Sequence, residues 1–176
     1  MSDATEGDAL VGASLPRPTK WEMWLQVAEV VAKRSTCLRN QVGAVITDWS
    51  LLQVLGLGYN GNARGLPNTC DHPEAPGMCG CLHAELNALL KAPGIGGGGR
   101  KILFSTHGPC LTCTKAILNS QIQLVIYRAA YRETIGVRTL LEQGIRVVHS
   151  RAFNTFDEIT WGGTPSGYGL LSKPLL

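Results

Sequence analysis

Between Lys101 and Val148, three short β-rich runs, KILFST, IQLVIY and IRVV, alternate with two helical patterns, CLTCTKAILNS and RETIGVRTLLEQG, the second closed by Gly144. Strands separated by helices of this length pair in parallel through right-handed crossovers, with the helices laid on the sheet. Upstream, VGAVIT and QVLGLG are separated only by DWSLL, short enough for a hairpin. Another helix precedes them. Thr19 and Glu22 have capping-box spacing, and Trp21, Trp24, Leu25, Ala28, Val31 and Ala32 recur on one face up to about Arg34. The expected fold is α/β: a three-layer α/β/α sandwich with a mixed central sheet of about five strands.

A chain of 176 residues with 44% apolar content supports one compact domain. Residues 1–18 are small and polar, with prolines at 16 and 18, and read as a flexible arm; residues 19–150 form the domain. The remaining residues, 151–176, have scattered apolar positions and read as a tail packed on the domain or on a neighbouring subunit. A net charge of +3 and 6% aromatic content argue against an extended nucleic-acid surface, while leaving room for a small anionic ligand. The first residues lack a basic segment and an apolar core, and no run approaches a spanning helix, so the expected location is the cytoplasm, without membrane contact. Six cysteines in that reducing setting point to metal binding or catalysis more than to disulfides.

The chemistry gathers at two helix starts. A loop from Tyr59 to Leu82, dense in Gly, Asn, Pro and Cys, leads into HAELNALLKA, a helix stopped by Pro93 and Gly94. The GIGGGG run after it lacks the GxxxxGK[ST] pattern of a phosphate loop and reads as a linker. His83 and Glu85 open this helix; Cys110 and Cys113, preceded by Pro109, open the next. The CxxC spacing sets two sulfurs one turn apart at a helix N-terminus, where thiolates are favoured. With His83 they make three ligands, the number that leaves zinc an open position for chemistry. Glu85 is placed to carry a proton and not to ligate.

HAE followed by PCxxC is the signature of zinc-dependent deaminases. From about Lys20 to Val148 the chain resembles the deoxycytidylate (dCMP) deaminase family of the cytidine deaminase fold. RSTCLRNQVGAVI is similar to that family's N-terminal segment, GLGYNGNARG to its GYNGxPxG element, and HAELNAL to its HAE(L/M)NA run. Deaminases of free nucleosides typically have Cys where His83 stands. The chain departs from the family at Gly108, where Ser is usual, at Ala63, where Pro is usual, and at His107, a commonly apolar position.

The resemblance implies zinc-dependent hydrolysis of dCMP to dUMP and ammonia, with Glu85 catalytic and zinc on His83, Cys110 and Cys113. For the phosphate, Arg34, Ser35, Arg39 and Arg64 are candidates because guanidinium forks pair with phosphate oxygens, the resemblance favouring Arg34 and Ser35. Asn40 and Asn60 fit contacts to the sugar or its phosphate, Tyr131 follows IQLVIY and would face the nucleotide, and Ala84 and Gly108 complete the expected substrate contacts. The resemblance also implies an effector site at Tyr59, Asn60 and Gly61 for dCTP or dTTP with Mg2+, and a homo-oligomer, a hexamer being favoured. A second, structural zinc would use Cys37, Cys70 and Cys81, completed by Cys79 or by His72. Rival readings share parts of this pattern: deamination of a 5-substituted dCMP, of another base or of a polynucleotide, or a noncatalytic zinc-stabilised interaction module.

Overall fold

The computed structural model describes residues 16–75, 79–94, 99–164 and 167–174. Most of the expected N-terminal arm and the centre of the GIGGGG run lie outside the described residues. Helix α1 (Lys20–Ala32) is followed by the hairpin β1 (Gly43–Asp48) and β2 (Val54–Tyr59), then α2 (Ala84–Leu89). The alternating part follows as β3 (Lys101–His107), α3 (Leu111–Leu118), β4 (Ile122–Ala129), α4 (Ile135–Glu142) and β5 (Arg146–Ala152). Two further strands, β6 (Thr155–Thr164) and β7 (Gly167–Pro174), complete a seven-stranded sheet of order β2-β1-β3-β4-β5-β6-β7. Strands β3, β4 and β5 are parallel and the other neighbours antiparallel. No helix among the described residues is long and apolar enough to cross a membrane.

The three-layer sandwich expected from the sequence is present, with seven strands in place of about five. The additional two come from the tail: Asn154 turns the chain in a left-handed conformation at φ 54, and β6 then runs back along β5. Their pattern is weak because they lie at the margin of the core, where glycines and polar residues are tolerated.

Two cores sandwich the sheet. Leu25 and Ala28 of α1 cover Val45, Phe104, Leu124 and Ile126 on one face. On the other, Ala84, Ala88, Ile117, Val137 and Leu140 of α2, α3 and α4 cover Ala44, Leu103, Val125 and Val147. The hairpin accepts both layers because of its glycines. A Cβ at Gly43 would stand 2.0 Å from the carbonyl oxygen of Ala28, and one at Gly58 would stand 2.1 Å from that of Ala84. Gly58 thus fixes how closely the first turn of α2 approaches the sheet.

The capping box at Thr19 is only half formed. Thr19 Oγ1 accepts from the Glu22 N–H at 3.1 Å, while the buried Glu22 carboxylate turns to Arg128 on β4. Arg128 reaches it with Nη2 at 2.7 Å and Nη1 at 3.3 Å, and its Nε donates to Glu29 at 3.0 Å. Arg128 Nη1 also donates to Ser150 on β5, and the Asn154 N–H donates to Glu22 at 3.2 Å. One carboxylate therefore ties α1 to β4, β5 and the turn into the tail. Glu22→Gln keeps the shape but sets an amide against the guanidinium. It is expected to cost about 2–3 kcal/mol, lowering the thermal midpoint by on the order of 5 °C or more. An unchanged midpoint would show that Glu29 and Ser150 suffice to hold Arg128.

Candidate active site

The site forms at one end of the sheet because of how β3 is paired. Ala44 of β1 sits opposite Ser105 and Gly43 opposite Tyr59, while His107 pairs with Ala129. The start of β1 and the ends of β2, β3 and β4 therefore share an edge, and the loops leaving it meet. In open α/β sheets, ligands bind at such an edge, beyond the carboxyl ends of the parallel strands.

His83 is the N-cap of α2 and Cys110 the N-cap of α3. The His83 side chain makes no capping bond, which leaves Nδ1 3.4 Å from the sulfurs of both Cys110 and Cys113. Zinc bond lengths and tetrahedral angles place neighbouring N and S donors roughly 3.5–3.8 Å apart. The three donors fit that spacing and leave one coordination position unfilled by protein. Hydrogen bonding with Cys113, together with His83, pulls the Cys110 thiol down to about 3, whereas Cys110 and burial push Cys113 up. The three donor atoms lie within 4.8 Å of one another, so a cation bound there would displace the sulfur protons. The Cys110 thiolate in turn raises His83.

Glu85 stands in the first turn of α2 and is 3% exposed. Burial raises its carboxyl to about 6. It faces the same cleft of about 370 Å³ as His83 and Cys110, along with Ala84, Gly108, Asn40 and Tyr131. Gly108 would meet only ordinary contacts with a side chain added, the nearest being the Tyr131 backbone nitrogen at 3.4 Å. Its difference from the usual Ser leaves the backbone in place.

A second group lies beside the first. The sulfurs of Cys37, Cys70, Cys79 and Cys81 lie within 4.8 Å of one another, with Cys70 and Cys81 3.3 Å apart. Cys79 completes this group. His72 is exposed and faces Glu74 at 3.8 Å instead. Against burial, which raises it, the N–H groups of Asn40 and Arg39 bring Cys37 down to about 7, while burial raises Cys70 and Cys81. Gly80, at φ 80, makes the turn between two of the cysteines, and the N–H groups of Asp71 and His72 bond back to the Cys79 carbonyl. A tetrahedral cation held by all four sulfurs would have no position open for chemistry.

The remaining sequence candidates divide. Asn60 lines the cleft and is also tied to backbone: Oδ1 accepts from Val42 N–H at 2.7 Å and Nδ2 donates to the Asn40 carbonyl at 2.8 Å. Ser35 is buried, donating to the Asn60 carbonyl at 2.7 Å and accepting from the Cys37 N–H at 3.2 Å. Both residues organise loop 35–42. Arg34 and Arg64 do not line the cleft, whereas Arg39 does. Gly61 bridges to Leu82, and the Tyr59 carbonyl accepts from Asn87, so this turn is tied to the entrance of α2. Arg132 also lines the cleft, with its guanidinium 5.4 Å from the Tyr131 ring centre, and was not singled out from the sequence. The signal available was its place just beyond the carboxyl end of a parallel strand.

Residues 18–129 match the model of the cytidine and deoxycytidylate deaminase zinc-binding region. The deoxycytidylate deaminase of Schizosaccharomyces pombe is 34% identical over 137 residues, covering 72% of this chain and 42% of that protein. The chain thus spans less than half the length of that relative. The deoxycytidylate deaminase of Mycobacterium phage D29 is 33% identical over 130 residues, covering 64% of this chain and 97% of its own. A crystal structure of the dCMP deaminase from cyanophage S-TIM5, in complex with dCMP and dUMP, superposes with a TM-score of 0.64 at 33% identity. That match covers 73% of this chain and 95% of the phage chain.

Asn60→Asp is expected to destabilise the site without changing its shape, because a carboxylate oxygen would then face the Asn40 carbonyl with no hydrogen between them. The cost should be about 1–3 kcal/mol, read as a lower midpoint in thermal unfolding. A wild-type midpoint would mean that loop 35–42 is held by its other bonds.

Proposed function

The chain belongs to the zinc-dependent cytidine and deoxycytidylate deaminase family, and from that premise we propose that it hydrolyses dCMP to dUMP and ammonia. The observation that carries this reading is the convergence of His83, Cys110 and Cys113 on one point, with the buried Glu85 beside them in a cleft of nucleotide size. Zinc held by those three donors would supply a Lewis acid that makes a water nucleophilic near neutral pH. Glu85 would take the proton from that water, pass it to N3 of the cytosine as C4 is attacked, and later protonate the departing amine. Burial raises that carboxyl above its ordinary value, which favours its holding the proton between the two transfers. The Gly108 carbonyl is the acceptor proposed for the 4-amino group, and Ala84 and Tyr131 would bound the base.

Arg39 and Arg132 are the guanidinium groups bordering the cleft, and they support recognition of a 5′-phosphate in preference to a free nucleoside. Asn40 is proposed to meet the sugar. The four-sulfur group is proposed to hold a second zinc that fixes the loop carrying Cys79 and Cys81 next to His83. Control by dCTP or dTTP with Mg2+ at Tyr59, Asn60 and Gly61 is supported by the resemblance of the GYNG segment, and assembly as a homo-oligomer, a hexamer being favoured, by the resemblance to the family as a whole.

Three measurements test this reading. Ammonia release should be seen with dCMP and be far weaker with deoxycytidine, cytidine and CMP; activity confined to the nucleosides would overturn the phosphate assignment. Glu85→Gln should keep its metal and fold while turnover falls by about 10²–10⁴-fold. Metal analysis should find two zinc ions per chain, falling to one in Cys81→Ser. A single zinc in the unaltered chain would remove the structural site.

A further inference from the structure

His107, at the end of β3, stands where the resembling family is commonly apolar, and in this chain it lines the cleft. Its ring is held at both nitrogens. Nε2 is 3.1 Å from the Asn40 Nδ2, and Nδ1 is 3.1 Å from Thr106 Oγ1. An amide nitrogen only donates, so Nε2 carries the lone pair and the ring proton sits on Nδ1. That proton is given to Thr106 Oγ1, which also accepts from the Gly43 N–H at 3.1 Å. Burial holds the imidazole below its ordinary value, consistent with a neutral ring at pH 7.

The consequence falls on Asn40. Its backbone carbonyl is fixed by Asn60 and its amide nitrogen by His107, while its Oδ1 takes no protein hydrogen bond among the described residues. An apolar side chain at position 107 would leave the amide free to turn over, presenting donor or acceptor to the cleft alike. We propose that His107 is a positioning residue for substrate: it holds the Asn40 amide so that Oδ1 accepts a hydrogen bond from a sugar hydroxyl of the nucleotide. This rests on the dCMP reading above and assigns to His107 a part in affinity and none in proton transfer.

The test compares the zinc-loaded enzyme with His107→Leu and His107→Gln, on dCMP and on 2′,3′-dideoxycytidine monophosphate, which lacks the hydroxyl. His107→Leu should raise KM for dCMP by about 3–10-fold with kcat within about twofold, the loss expected for one neutral hydrogen bond made equally in ground and transition states. The KM for the dideoxy nucleotide should be the same in both proteins. Gln offers an amide oxygen near the position of Nε2 and should recover most of the affinity for dCMP. A KM increase that is equal for the two nucleotides, a change confined to kcat, or a Gln variant no better than Leu would each overturn the proposal. Zinc content and thermal midpoint are measured for every variant, and the Gln variant decides if Leu fails to fold. Absence of dCMP turnover in the unaltered enzyme would count against the reaction itself, whereas normal turnover with indifferent variants would count against His107 alone.

Discussion

The site depends on β3 pairing antiparallel with β1 and parallel with β4. That change of direction brings the end of the hairpin and the ends of the parallel strands to one edge. Two helices then begin at the cleft, α2 with His83 and α3 with Cys110, so two sets of unpaired N–H groups point toward the same small volume. The positive ends of both helices favour thiolate there. The same geometry that stacks the sheet thus brings the three donors together, and the close approach allowed by Gly58 sets how near the start of α2 lies to the sheet.

Several polar residues around the cleft act mechanically. Asn60, Ser35 and the cysteine group hold loops that have little apolar surface of their own and could not be ordered by burial. Hydrogen bonds and sulfurs replace a core in this part of the molecule. Along CGCLHAE, the first two cysteines belong to the four-sulfur group and the histidine to the three-donor group, and all three border the same cleft as Glu85.

What could be read from the sequence follows from how local each signal is. The strands and helices between Lys101 and Val148 were legible because both the apolar pattern and the Gly144 stop lie within each segment. His83, Cys110 and Cys113 stood out because zinc chemistry restricts donor type and spacing, and the structure brings the three together. Glu22 was not: its capping-box spacing suggested a local bond, but Arg128, 106 residues away, takes the carboxylate. Long-range polar partners of that kind leave no periodic trace. The backbone bonds of Asn60 and Ser35 could not be read from the sequence either, because their partners, Val42 and the Asn60 carbonyl, lie in other segments. The tail strands escaped because β6 places Asp157 and Glu158 among its apolar residues and pairs at the end of the sheet, where alternation is weakly enforced.

Glu85 shows how burial and reactivity are joined. An exposed carboxyl would ionise near 4.5, whereas burial raises this one to about 6. Its folded-state value is the higher one, so the stability it contributes is present below the unfolded value and is lost as pH rises through about 6. At pH 7 and above, ionising it in place costs about 2 kcal/mol relative to an exposed carboxyl. The fold carries that cost at a position where a divalent cation on His83, Cys110 and Cys113 would offset it by favouring the ionised form. A glutamate that ligated the cation directly would have its oxygens committed and could not exchange a proton with the substrate. Its place in the first turn of α2, two residues beyond His83, would keep it within reach of such a cation's field while leaving its carboxyl free, and in the proposed reaction that separation would let one side chain serve as base and then as acid.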